Sequence, residues 1–470
     1  MLSYFPKYIA NKAVTFYLVA LVLVSLFFFN HTMSVMWMVF GLVEVVGFFY
    51  VSNRLTRNWI NYSPRLFEKK VFVTALIIRI IYVLFSYLFY TFMTGQPFEY
   101  GAADAMGYHQ EALWVRDLLL SGKIQTYFSY IAGRYSDMGY PFSLGVQYVL
   151  TFGSILVARL VKAALSAYMC LLIYRLAKRN FGEYVGRMAA VFALVMPHFI
   201  YYCGLHLKET EMVFLSVWFL ERIDFVIRTK HLSFKLLIVP VLLLVSLFFF
   251  RTVLGVTAIF AVGTAVLFSE ANVINKHKRM VLLLWGASAV LVFLGGSIST
   301  EIEEVWQKSG SAEQSKNMEW RSQREGGNQF AKYAGAAVFA PLIFTIPFPT
   351  MVHVDYQENQ MMVNGNNYVK NILSFFVILA FYLILKRKLW RKHTLLIAYI
   401  LTYLGILALS HFAQSERFHL PALPIALIFA AYGISEMTNQ HKKLFDYWTL
   451  FILVVIIGWC WFKLAGRGLV

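Results

Sequence analysis

Apolar runs of about 17–25 residues, the length needed to cross a hydrocarbon core of about 30 Å, recur from Ala13 to Phe462 with short polar joints between them. Nothing else in the sequence limits the fold as much. In hydrocarbon every backbone N–H and C=O must be paired inside the protein, so runs of this length specify helices. The reading is an all-α polytopic membrane protein with about thirteen transmembrane helices and additional juxtamembrane helices on its outer face. Charged residues make up 14% of the chain, well below the roughly one quarter of soluble domains.

Lysine and arginine exceed aspartate and glutamate by 42 − 24 = 18. A basic excess raises nucleic acid as a partner, but its placement argues for a membrane instead. The clusters Arg54/Arg57/Arg65/Lys69/Lys70, Arg175/Lys178/Arg179/Arg187, Arg228/Lys230/Lys235, Lys276/Lys278/Arg279, Lys386/Arg387/Lys388/Arg391/Lys392 and Lys442/Lys443 each adjoin the end of an apolar run. By the positive-inside rule these joints are cytoplasmic, which leaves no need for nucleic acid.

Threading the chain on that rule gives spans at Val14–Phe29, Ser34–Val51, Val71–Met93, Gly153–Ala177, Arg187–Cys203, Met212–Ile227, Leu236–Phe250, Val253–Phe268, Met280–Gly296, Ile372–Leu385, Thr394–Ser410, Pro421–Met437 and Trp448–Phe462. The N-terminus is then cytoplasmic and the C-terminus outside the bacterial inner membrane, with Lys463 and Arg467 running against the rule. The first run lacks a small-x-small cleavage site and reads as an uncleaved anchor. Cys170, Cys203 and Cys460 lie in or beside apolar runs with no metal-ligand spacing, as packing residues do.

Two apolar stretches are left over, Tyr140–Thr151 and the proline-containing Tyr333–Val352, and either as a full span would invert every later basic band. Both are read as re-entrant or interfacial helices on the outer side. Residues 1–70 then form two N-terminal spans and a cytoplasmic loop, 71–437 the core, and 438–470 a last span. The outer face carries 94–152, Gly204–Glu211, 297–371 and His411–Leu420. Chemistry is expected there.

Nucleotide-binding, zinc-protease, nucleophile-elbow and dinucleotide motifs are absent from the sequence. What remains is polar residues at the outer ends of helices. Asp104 stands alone among small and aromatic residues in Gly101–Ala112, with Tyr108 and His109 following. It is either a general base in an apolar setting or a helix N-cap. Arg134 and Asp137 precede Gly139-Tyr140-Pro141, a turn that is structural or part of a site. Lys208-Glu209 is either an interfacial anchoring pair or a cation offered to an anion. In Glu416-Arg417-Phe418-His419, the arginine either grips a phosphate through its planar fork or snorkels to the interface. Glu44 and Arg251 are charges at or near membrane depth, where charge is functional by default.

In order and spacing these pieces resemble the GT-C superfamily of integral-membrane glycosyltransferases, particularly the family 39 type that includes protein O-mannosyltransferases and lipid A aminoarabinose transferases. The resemblance runs from about Ile77 to Met437. It rests on Asp104, matching a first-loop acid, and on Gly139-Tyr140-Pro141. It rests further on the helix Phe152–Gly182, on Pro197 with Glu209 beyond it, and on Glu416-Arg417-Phe418-His419-Leu420-Pro421-Ala422-Leu423-Pro424. Two features depart from the pattern: Asp104 is followed by Ala105 where many relatives have a second acid, and two extra helices precede the loop-bearing one.

The resemblance implies a polyprenyl-phosphate-linked sugar as donor and an envelope glycolipid, polysaccharide or protein as acceptor. Asp104 would deprotonate the acceptor with inversion at the sugar carbon, while Arg417, Lys208 and Arg134 or Arg251 hold the phosphate. Glu209, Glu416, Tyr108, His109 and Tyr140 complete the candidate site. The scheme requires no metal, although some relatives use a divalent ion. Ser297–Lys332 and Val352–Lys370 are expected to cap the site against bulk water. The alternatives are an O-antigen or exopolysaccharide polymerase or ligase dependent on Arg321 and Arg324, and a transporter or lipid flippase, which would call for repeated halves meeting at the midplane.

Overall fold

The computed structural model describes residues 2–131, 136, 138–229, 234–268, 319, 322–323, 327–330, 336–410 and 412–470. Among them the architecture is helical throughout, the one β-type pairing being an isolated bridge between Thr32 and Val352. In chain order the helices are α1 Lys7–Phe27, α2 Val35–Asn58, α3 Pro64–Thr94, α4 Ala103–Leu120, α5 Ile124–Tyr130, α6 Gly139–Thr151, α7 Ile155–Phe181, α8 Glu183–Val195, α9 Pro197–Cys203 and α10 Glu209–Arg228. Then follow α11 Phe234–Phe250, α12 Thr252–Phe268, α13 Ala336–Phe339, α14 Glu358–Met362, α15 Asn364–Lys386, α16 Thr394–Leu409, α17 Glu416–His419, α18 Leu423–Ser435 and α19 Asn439–Ala465.

Six of these, α1, α2, α3, α7, α15 and α19, are long and apolar enough to cross a membrane, and the bent pair α8–α9 raises the number to seven. The remaining apolar helices α11, α12, α16 and α18 are shorter, at 10–17 residues. The chain is therefore a membrane-embedded helical protein. Of the thirteen spans read from sequence, Met280–Gly296 lies outside the described residues.

Local sequence sets the helix ends. Ser63 accepts the amide of Leu66 at the start of α3, Pro64 occupies its first turn, and Gly95 closes it with φ +75°. Ser154 caps α7 in the same way, and Thr438 forms a reciprocal capping box with His441 at the start of α19. The expected helix at Tyr140–Thr151 is α6. The one expected across Tyr333–Val352 does not form: after α13 and a 3-10 turn at Ala340–Leu342 the backbone is irregular up to Val352. Pro341, Pro347 and Pro349 remove the amide donors a helix would need there. The outer segment Val352–Lys370 is also shorter than its sequence suggested, because α15 begins at Asn364.

The core is a cluster of α3, α7 and α8, joined on one flank by α10 and on the other by α2 and α15. Between α8 and α9 the chain bends by 45° at Met196-Pro197. Proline has no N–H to return to the previous turn, so carbonyls there lose partners. Arg79 of α3, fully buried, supplies them: its Nη1 donates to Leu194 O at 3.1 Å, its Nη2 to Ala193 O at 3.1 Å and its Nε to Ser166 Oγ at 2.6 Å.

The ends of the bundle segregate. At one end the turn after α1 meets the segment at Val352 and the C-terminus, with His353 N donating to His31 O at 2.8 Å and His31 Nε2 lying 3.0 Å from Leu469 O. At the other, basic joints tie the helices together. Arg175 pairs with Glu68, Arg179 with Glu221 and Asp224, and Arg187 donates to the carbonyls of Trp59, Ile60 and Tyr62.

Arg79→Met keeps the bulk but removes the donors at the bend, leaving two buried carbonyls without partners. A loss on the order of 1–3 kcal/mol is expected, read as a lower unfolding midpoint in detergent. An unchanged midpoint would show that packing alone holds the bend.

Candidate functional site

Two carboxylates far apart in sequence converge on one guanidinium. Arg417 of the short helix α17 donates from Nε to Glu209 Oε1 at 2.7 Å and from Nη1 to Asp104 Oδ2 at 2.6 Å. Asp104 and Glu209 both lie in the first turn of their helices, α4 and α10, where the positive end of the helix dipole favours a carboxylate. Asp104 does not cap α4; that place belongs to Ala102. Nor is Asp104 walled in by apolar groups: its side chain is 55% exposed, against 24% for Arg417 and 1% for Glu209. Burial alone would depress Arg417, but the charge of Glu209 and the hydrogen bond to Asp104 outweigh it and hold the guanidinium protonated more firmly than usual.

Aromatic rings border this ion pair. Tyr108, one turn along α4 from Asp104, meets the buried ring of Tyr140 edge-on with centroids 5.1 Å apart, and Lys208 Nζ lies 5.8 Å from the Tyr108 ring. Lys208 is itself buried. Phe418 carries the guanidinium of Arg251 at 4.2 Å and stacks on Phe412 at 4.3 Å. Glu416 accepts from Tyr202 Oη at 3.3 Å.

Behind the rings runs a polar chain: His109 Nδ1 lies 2.7 Å from Tyr148 Oη, which lies 3.1 Å from His206 Nε2. Burial holds both imidazoles below their ordinary range, with Arg116 adding to the effect at His109 and Lys162 at His206.

Of the residues singled out from sequence, Asp104, Glu209 and Arg417 share one contact set. Tyr108 lies against both Lys208 and Tyr140, and Glu416 and Phe418 flank Arg417. His109 belongs to the polar chain. Arg134 and Asp137 fall outside the described residues, as do Arg321 and Arg324. Glu44 is elsewhere, accepting the amide of Asn366 at 3.1 Å near the start of α15.

Sequence reasoning missed Lys162. This fully buried residue of α7 donates to Leu207 O at 2.7 Å, to Leu205 O, and to Tyr140 Oη at 3.4 Å, pinning the turn that delivers Lys208 and Glu209. Its one trace in the sequence is a lysine inside an apolar run. Glu211 was also overlooked; it is buried with both carboxylate oxygens lacking hydrogen-bond partners. Among the described residues no three His, Cys, Asp or Glu side chains gather as a metal site.

No protein-family profile, curated protein or solved structure matches this chain.

The two carboxylates on Arg417 differ in burial and so in energetic weight. Glu209→Gln leaves a largely enclosed pair broken and is expected to cost about 3 kcal/mol. Asp104→Asn removes the exposed arm at a cost of about 1 kcal/mol or less. Thermal unfolding of both variants in the same detergent checks the order; equal losses would show that the two arms carry the same structural load.

Proposed function

We propose that this chain is a glycosyltransferase of the inner membrane, moving a sugar from a polyprenyl-phosphate donor to a hydroxyl of an envelope glycolipid, polysaccharide or protein. The supporting observation is the meeting of Asp104, Glu209 and Arg417, three acid and arginine positions that come from separate parts of the resemblance and lie as far as 313 residues apart. Such convergence is expected of a site and is not required by any one helix.

Arg417 engages Oδ2 of Asp104, and no described residue bonds Oδ1. The carboxylate is thus oriented on one side and open on the other. In the proposed reaction the acceptor oxygen attacks the anomeric carbon and the carbon–phosphate-oxygen bond breaks, its electron pair leaving with the phosphate. The hydroxyl proton passes to Asp104 Oδ1, and configuration at the sugar inverts. Tyr108, half-buried one turn along α4 from Asp104, offers aromatic surface suited to a sugar face, with the buried ring of Tyr140 packed edge-on against it. The wider reading places about thirteen spans in the bilayer, the N-terminus in the cytoplasm and this site outside.

Asp104→Asn keeps the size of the side chain and a hydrogen bond acceptor but removes the base. Sugar transfer by the purified variant is expected to fall by about 10²–10⁴-fold with the fold intact. Transfer at the wild-type rate would remove Asp104 from the chemistry and turn attention to Arg321 and Arg324. Lipid extraction from the purified wild-type protein followed by mass spectrometry is expected to yield a polyprenyl-phospho-sugar.

A further inference from the structure

A run of positive charge fills the turn between α15 and α16, where five of the seven residues from Lys386 to Lys392 are lysine or arginine and all five are exposed. The turn is tightly built. Lys388 N donates to Leu385 O at 3.0 Å and Leu389 N to Ile384 O at 2.9 Å, with Lys388 itself at φ +56°. Lys392 O accepts from Arg228 Nη2 at 3.3 Å, and His393 Nδ1 lies 3.3 Å from Asn180 Oδ1, which ties the turn to the basic end of the bundle.

Helix electrostatics account for only part of this charge. Lys386 and Arg387 stand at the C-terminal end of α15, where the dipole favours cations, and Arg387 pairs with Glu436 at 2.7 Å. Lys388 occupies a left-handed position closing the helix, which glycine fills without strain. Arg391 and Lys392 precede the N-terminus of α16, where the dipole disfavours a cation, and the first turn of that helix has no acid. Lys386, Lys388 and Lys392 have no carboxylate partner among the described residues.

The apolar surface beside the turn is continuous with it. Ile378, Tyr382 and Leu385, at i, i+4 and i+7, form one exposed stripe along α15 that ends at the lysines. Lys386 Nζ lies 5.6 Å from the Tyr382 ring, and Trp390 packs half-buried against the core at the tip of the turn.

An apolar stripe, then aromatic rings, then unpaired cations matches a phospholipid followed from its chains to its phosphate. We propose that the α15–α16 turn is a binding site for an anionic diacyl phospholipid, its chains along Ile378, Tyr382 and Leu385 and its phosphate at Lys386 and Lys388. Arg391 and Lys392 add to the attraction. A zwitterionic lipid brings its own ammonium group, which cancels most of it. All of α16 lies between this turn and the segment that carries Arg417, and the site does not depend on the transfer reaction.

The test is native mass spectrometry of the full-length chain in detergent, titrated with phosphatidylglycerol or phosphatidylcholine of the same chain length. Each cation near an anionic headgroup contributes about fivefold, so wild type is expected to retain the anionic lipid about tenfold or more above the zwitterionic one. Replacing Lys386, Lys388 and Lys392 together by Gln should erase that preference. Replacing Arg65, Lys69 and Lys70 by Gln, three exposed cations of the same end, should leave it intact. Lys388→Gly relaxes the backbone and removes one charge, so anionic lipid should bind about fivefold more weakly while the unfolding midpoint in phosphatidylcholine stays at or above that of wild type. Glycerol phosphate, a headgroup without chains, should not compete.

Equal retention of the two lipids overturns the proposal and leaves the turn to an acidic protein segment. Equal losses in the two triple variants overturn it as well, reducing the turn to diffuse surface charge. Displacement of the lipid by glycerol phosphate overturns it in favour of a soluble anion.

Discussion

Backbone carbonyls that lose their helical partners in a low-dielectric interior must find another donor, and much of this structure is arranged around that requirement. At the α8–α9 bend the donor is Arg79. Below the 204–208 turn it is Lys162, and at the proline-broken segment it is Lys370 on Ile346 O together with Asn371 on Thr345 O and Pro347 O. Arg187 does the same for three carbonyls after α2. These long side chains let the chain leave the helix without losing its hydrogen bonds, and every departure creates a place where side chains can be aimed.

The candidate site is built from those departures. The turn held by Lys162 presents Lys208 and Glu209, and the break after α16 presents Glu416, Arg417 and His419. Arg417 then couples the break to α4 and α10 through two carboxylates of unequal burial. The buried one, Glu209, anchors the guanidinium; the exposed one, Asp104, keeps part of its carboxylate on the protein surface.

The short helix α17 also divides two electrostatic environments. Arg417 faces a pair of acids and aromatic rings, whereas His419 is buried with its Nε2 on Ala413 O.

Helical character and a membrane setting were legible from the sequence, because the length and apolarity of each run are properties of consecutive residues. The starts of α3 and α7 are set by local residues, Ser63 with Pro64 and Ser154, whereas the prolines of Tyr333–Val352 break the helix that its apolar character led the sequence reading to expect. The number of spans is not decided by the same information: short apolar helices such as α11, α12 and α18 look alike whether they cross a bilayer or pack against neighbours. Asp104, Glu209 and Arg417 could be singled out as polar residues at helix ends, but their mutual pairing could not, because it joins segments separated by 208 and 313 residues. Lys162 was hidden among apolar neighbours, Lys370 lay in an asparagine-rich stretch with no motif to mark it, and His419 was noted only as part of the Glu416–Pro424 motif. Their importance comes from carbonyls and cavities supplied by other helices, and only the packed tertiary structure brings those within hydrogen-bond reach.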